Sequence, residues 1–156
     1  MAERLNNPDK RTLMAIDPGT TTGIAIYHPG VWQMQSQSRA TWEWCQVQGH
    51  LPFWKLLTMT NPHIVIIERF QFQARQKAVL DAVEYIGITK LYTEATDKKL
   101  VMQTASQAKG LWTDEKLRKV ELFASEGKHA RDATRHMLYY LTVAERNLEF
   151  ANRLKV

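Results

Sequence analysis

A chain of 156 residues with 44% hydrophobic content can bury one sizeable core without disulfides or metal staples. It is too short for two full lobes, which disfavours functions that need a cleft between them. The net charge of +5, from 21 basic against 16 acidic side chains, and the pI near 9.4 suit a polyanionic partner such as nucleic acid. One cysteine, Cys45, cannot close an internal disulfide and fits a reducing compartment, so a cytoplasmic setting is expected. No apolar run approaches the roughly 20 residues of a membrane span, and the start of the chain lacks the apolar segment of a secretion signal.

Residues 1–11 are polar, contain Asn6-Asn7-Pro8-Asp9 and show no periodicity, so they read as a flexible N-terminal arm. Leu13 to Ile16 is a short apolar run ended by Asp17-Pro18-Gly19, and Gly23 to Tyr27 is a second run rich in strand formers; two adjacent strands joined by a Gly/Thr turn are expected. Val31 to Gln35 reads as an extension of that sheet. The Trp-rich stretch from Trp42 to Leu57 is ambiguous, with a helix beginning near Leu51. After Asn61-Pro62, the β-branched run Ile64-Val65-Ile66-Ile67 predicts a strand covered on both faces and ended by Glu68. Helical spacing follows from about Gln76 to Thr93, then a strand from Leu100 to Gln103. Thr113-Asp114-Glu115 starts a helix expected to reach Phe123, and after Gly127 a last helix runs from Ala130 to about Asn147. Strands first, then alternating helices and strands, make this an α/β chain.

Three acids stand out by position. Asp17 and Glu68 end buried strands, and Asp132 lies in the last helix. An ionised carboxylate beside a dry core is costly without a cation or donors to compensate, so a shared metal is one reading; a helix cap or an exit to solvent is the other. His129-Ala-Arg-Asp132 adds an imidazole three residues before a carboxylate, on one helix face. Converging carboxylates and one imidazole can hold two divalent ions about 4 Å apart, an arrangement that cuts phosphodiesters. Oxygen donors favour magnesium, with manganese as substitute, whereas zinc prefers more His or Cys.

Ala15-Ile16-Asp17-Pro18-Gly19-Thr20-Thr21-Thr22-Gly23 resembles the opening motif of the RuvC family of Holliday-junction resolvases, of the ribonuclease-H-like superfamily. Ile66-Ile67-Glu68 resembles the family's second acidic strand end, and His129-Ala-Arg-Asp132-Ala133 its terminal helix, in the subgroup that carries His where others carry Asp; phage-type members share the Asp-Ala ending. The resemblance spans about Leu13 to Leu141 and rests on the order and spacing of the three motifs. It implies a ribonuclease-H-like mixed sheet flanked by helices, a single nuclease domain over 12–156, and two-metal cleavage of four-way junctions, with flaps and forks as related substrates. Asp17, Glu68, His129 and Asp132 would hold two magnesium ions, in a homodimer that cuts both strands of a junction. The cell would be bacterial or phage-infected.

The resemblance also implies basic and aromatic contacts to DNA. Lys109 falls where a lysine would stabilise charge at the scissile phosphate, and Lys116 is a second candidate. Phe70 and Phe72 flank the position of a ring that wedges into the junction, among Arg69, Arg75 and Lys77; either ring also reads as core. His136 reads as a helix-surface residue, with orientation of Asp132 as the alternative, and the five tryptophans read as core. Two rivals remain at this level. One is a module that holds branched DNA without cutting. The other is an actin-like or sugar-kinase-type ATPase fragment, because the Asp17-to-Gly23 loop also resembles that superfamily's phosphate loop.

Overall fold

The computed structural model describes residues 11–30, 32–33, 36–37, 41–71, 80–146 and 152. In chain order, β1 (Leu13–Asp17) and β2 (Thr22–His28) are followed by a short ladder of β3 (Trp32–Gln33) and β4 (Ser36–Gln37), then β5 (Thr41–Val47), α1 (His50–Thr60) and β6 (Ile64–Glu68). α2 (Asp81–Ala95), β7 (Lys99–Gln103), α3 (Ala105–Leu111), α4 (Asp114–Lys119) and α5 (Lys128–Tyr139) complete the order, and α5 runs on into a π-helical turn over Tyr140–Ala144. The main sheet has the order β5-β2-β1-β6-β7. β2 is antiparallel to both β1 and β5, whereas β6 is parallel to both β1 and β7.

All five residues of β1 are buried, as are the first four of β6, because the sheet is covered on both faces. Alternation along the strands sorts their side chains. Leu13, Ala15, Ala25, Tyr27, Ile64 and Ile66 pack with Leu117 of α4 and Ala133, Met137 and Leu138 of α5. Met14, Ile16, Ile24, Val65 and Ile67 pack on the other face with Phe53 and Leu57 of α1 and Tyr85, Ile86 and Tyr92 of α2. This is the expected α/β architecture, a mixed sheet flanked by helices.

Several boundaries differ from the sequence reading. Of the run from Val31 to Gln35 the described residues are Trp32–Gln33, which pair with Ser36–Gln37 and not with the main sheet. The ambiguous Trp-rich stretch is instead an edge strand, β5, whose Trp42 and Trp44 stack with rings 6.2 Å apart against the core. α1 starts at His50, one residue before the expected Leu51. α4 ends at Lys119 because Val120 and Glu121 turn the chain, Glu121 with φ 62, so it stops short of Phe123. α3 went unread although Thr104 and Gln107 form a capping box at its start. The expected helix over Gln76 to Thr93 is seen from Asp81; residues 72–79 lie outside the described residues, as do residues 1–10 of the N-terminal arm. Arg11, read as the last residue of that arm, is tied to Glu145 at 3.0 Å.

Candidate active site

Strand register decides which acids can meet. β1 and β6 run parallel with Ile16 opposite Ile67, which sets Asp17 and Glu68 at neighbouring C-terminal strand ends; Glu68 in turn lies opposite Gln103 of β7. Asp17 shares the parity of Leu13 and Ala15, and Glu68 that of Ile64 and Ile66, so both side chains face α5. α5 answers with His129, Asp132, Arg135 and His136. C-terminal strand ends at the centre of an open α/β sheet are where such folds place ligands.

Helix and sheet come this close because of two glycines. A Cβ on Gly23 would lie 2.0 Å from the carbonyl carbon of His129, so only a glycine lets β2 pass the start of α5. Gly127 precedes α5 at φ 134, a backbone conformation that disfavours other residues, and a side chain there would strike Gln46. Thr22, fully buried, braces the first turn by donating to the Gly19 carbonyl at 3.0 Å.

Each carboxylate has its own partner. Asp17 Oδ2 accepts from His129 Nδ1 at 2.7 Å. In the neutral imidazole Nε2 then carries the lone pair that could ligate a metal. Glu68 Oε2 lies 2.9 Å from His136 Nε2 and 4.0 Å from Lys109 Nζ. Asp132 Oδ2 accepts from Lys109 Nζ at 3.1 Å, while its Oδ1 is held by Arg135, which also grips Asp114 and the Trp112 carbonyl. Asp17 and Asp132 are only 6% and 3% exposed, so little water screens them.

The electrostatics follow from that crowding. Burial pushes the Asp17 carboxyl up to about 6; the His129 hydrogen bond opposes the rise, and the charges of Glu68 and Asp132 add to it. Burial would lower the Lys109 ammonium, but the hydrogen bond and charge of Asp132, helped by Glu68 and Asp17, hold it above its ordinary value. Negative charge therefore accumulates here, and the ammonium already sits between two of the carboxylates. A divalent cation suits the donor set: hard oxygens with one imidazole fit magnesium or manganese. Among the described residues, no three His, Cys, Asp or Glu side chains are drawn together into a closed cage.

The structure thus gathers Asp17, Glu68, His129, Asp132 and Lys109. Lys116 is not drawn into this cluster: its ammonium donates to the Leu111 carbonyl at 2.7 Å, at the end of α3. Arg69 is exposed just beyond Glu68, and its amide donates to the Gln103 carbonyl. Phe70 packs half-buried against the α1 and α2 core, the place of a core ring. Phe72, Arg75 and Lys77 lie outside the described residues. His136 corrects the sequence reading: it is fully buried, and it contacts Glu68 instead of Asp132. Arg135 was missed: its i,i+3 spacing from Asp132 is a local signal, but nothing in the sequence brings Asp114 to it.

No protein-family model matches the chain, and no curated protein sequence matches it. Solved structures do. RuvC of Thermus thermophilus superposes with a TM-score of 0.64 at 18% identity, covering 86% of this chain and 96% of that one. The chain has the RuvC fold. The same T. thermophilus protein in complex with Holliday junction substrate gives 0.62 at 16% identity over 87% and 96% of the two chains. The Fowlpox virus resolvase with substrate Holliday junction DNA gives 0.51 at 12% identity over 82% and 97%. The RuvC-like, ribonuclease-H-like sheet expected from the three acidic motifs is therefore the fold observed.

Proposed function

We propose that this protein is a metal-dependent endonuclease that resolves four-way DNA junctions and related branched DNA. The observation that carries the reading is the gathering of Asp17, Glu68 and Asp132, from β1, β6 and α5: the first two end neighbouring parallel strands, and Lys109 lies 4.0 Å from Glu68 and 3.1 Å from Asp132. The resemblance of its motifs to the RuvC family, and the junction DNA bound to two structures of the same fold, support the substrate class.

Asp17, Glu68, Asp132 and the His129 imidazole would hold two magnesium ions, with manganese as substitute; when bound, these supply water activation and stabilisation of the leaving 3′ oxygen. His129 is oriented for ligation by its hydrogen bond to Asp17. Arg135 fixes the Asp132 rotamer by holding one oxygen and leaving the other to Lys109. Lys109, 44% exposed and anchored on Asp132, offers a positive charge to phosphate oxygens. Arg69, exposed beside Glu68, would contact the DNA backbone. Symmetric cutting of two strands calls for two such sites, which a homodimer related by a twofold axis supplies. The nuclease unit is residues 12–156, and the lone thiol of Cys45 suits a cytoplasmic setting.

The deciding experiment incubates the protein with a labelled four-way junction, a flap, a fork and a plain duplex in magnesium. Paired nicks at symmetric positions of the junction are expected. Retardation of the junction without nicks would instead identify a binding module, and ATP turnover without DNA cleavage would identify the kinase-like rival.

A further inference from the structure

His136 is 0% exposed, and an imidazole taken out of water without partners is costly. Both of its ring nitrogens are met. Nε2 lies 2.9 Å from Glu68 Oε2, and Nδ1 lies 2.9 Å from Gln103 Oε1. A carboxylate can only accept, so Nε2–H donates to Glu68; the Gln103 amide, with both an oxygen and an NH2, can satisfy either state of Nδ1. The three side chains come from α5, β6 and β7, and Glu68 and Gln103 are directly opposed in the sheet. The imidazole therefore bridges the C-terminal ends of two strands from above.

Core filling does not account for this placement. Ala133 and Met137, on either side of His136, already pack apolar groups on the same sheet face. An apolar residue of similar volume would fill the space without a buried polar ring to satisfy. What the ring adds is direction: it fixes one oxygen of a carboxylate at the open edge of the core. The Glu68 side chain is met by His136 of α5 and, further off, by Lys109 of α3. Its rotamer is set by the His136–Gln103 pair together with Lys109 at 4.0 Å.

We propose that His136, seated on Gln103, is a positioning residue that holds the Glu68 carboxylate in the orientation required to bind a divalent cation. The inference rests on the reading of Glu68 as a metal ligand. Its substitution acts on metal affinity and on the cleavage step, not on DNA contact.

The test uses the full chain and three variants, His136→Phe, His136→Gln and Gln103→Leu, with two readouts: Mn2+ binding by calorimetry without DNA, and single-turnover cleavage of a four-way junction. His136→Phe is expected to weaken Mn2+ binding and slow cleavage by about 10–100-fold each, as loss of a group orienting a metal ligand does, with junction affinity unchanged within about twofold. His136→Gln, whose amide can still donate to Glu68, recovers part of both. Gln103→Leu shifts both in the same direction by a smaller factor. A folded His136→Phe that binds Mn2+ and cuts like wild type overturns the proposal, as does a His136→Gln as impaired as His136→Phe, which would mean that donation to Glu68 is not what the ring supplies. Should His136→Phe fail to fold, Gln103→Leu decides, and wild-type Mn2+ affinity in it overturns the proposal. Wild-type protein that binds Mn2+ but cuts no branched DNA overturns the nuclease reading, with His136 judged on the Mn2+ affinities; wild type that binds no Mn2+ overturns both.

Discussion

Gly23 and His129 touch backbone to backbone: a single added methyl on Gly23 would sit 2.0 Å from the His129 carbonyl carbon and 2.6 Å from the next amide nitrogen. Backbone cannot rotate away as a flexible side chain can, so Gly23→Ala must push the start of α5 off the sheet. His129 would then lose its 2.7 Å contact with Asp17. We expect Gly23→Ala to cost about 1–3 kcal/mol in thermal or urea unfolding, the usual range for overpacking, and to slow junction cleavage at least about tenfold. An unchanged melting curve together with unchanged cleavage would show that α5 does not depend on this contact.

Asp17 places function against stability. Its carboxyl is buried and pushed up to about 6, so the ionised form present at pH 7.5 destabilises the metal-free fold. Asp17→Asn removes that charge while keeping an oxygen that can accept from His129. In EDTA at pH 7.5 the variant should be more stable than wild type by about 1–3 kcal/mol, and in magnesium it should no longer cut while still binding junctions. A variant no more stable than wild type in EDTA would contradict the account of Asp17, and cleavage near the wild-type rate would remove it from the metal site.

The same shift has a sign in pH. A carboxyl raised on folding binds its proton more tightly in the native state, so between about pH 4 and 6 the native state holds more protons and stability falls as pH rises. Above that window the contribution is flat. Urea unfolding of metal-free wild type and Asp17→Asn across pH 4–8 should show their stability difference growing through the window and then holding level. Cleavage at limiting magnesium should run the opposite way, lost as pH falls through about 6 because the protonated carboxyl cannot ligate. A stability difference independent of pH would rule out the buried ionisation.

Lys109 and His129 serve chemistry more than affinity in this reading. Lys109→Met should reduce single-turnover cleavage by about 10–100-fold, with Lys109→Arg intermediate, because a positive charge near the scissile phosphate is lost. His129→Ala should weaken Mn2+ binding and slow cleavage, whereas junction affinity in either variant stays within a few-fold of wild type. If gel-shift affinity falls as much as the cleavage rate in both variants, these side chains are DNA contacts and not parts of the catalytic centre.

Salt provides an independent check on the partner. If junction binding engages six or more phosphates, affinity measured with EDTA should fall by about 10³-fold or more between 50 and 200 mM monovalent salt. A flat response would argue against a nucleic-acid ligand for this basic chain.

The local pattern of the sequence was enough for the α/β class and for the ends of β1 and β6, because an apolar run stopped by a carboxylate is a short-range signal that survives into the structure. It also marked Asp17, Glu68, His129 and Asp132 as candidates, whose types and order carry the resemblance to the resolvases. It did not show α3, although Thr104 and Gln107 are a readable capping signal, nor β5, an edge strand separated from α1 by only Gln48 and Gly49.

Tertiary structure alone decided who partners whom. His136 looked like a surface residue because helical periodicity gives a face but not what lies across from it; only the parallel register that sets Glu68 beside Gln103 makes that face a polar buried seat. Arg135 acquires its role from Asp114, 21 residues away and on another helix. Gly23 reads in sequence as a turn glycine, yet its necessity comes from a helix more than 100 residues later that presses on its α carbon. Chemistry-bearing residue types are written locally, whereas burial, hydrogen-bond partners and the rise in the Asp17 carboxyl depend on contacts between segments far apart in the chain, which no local pattern encodes.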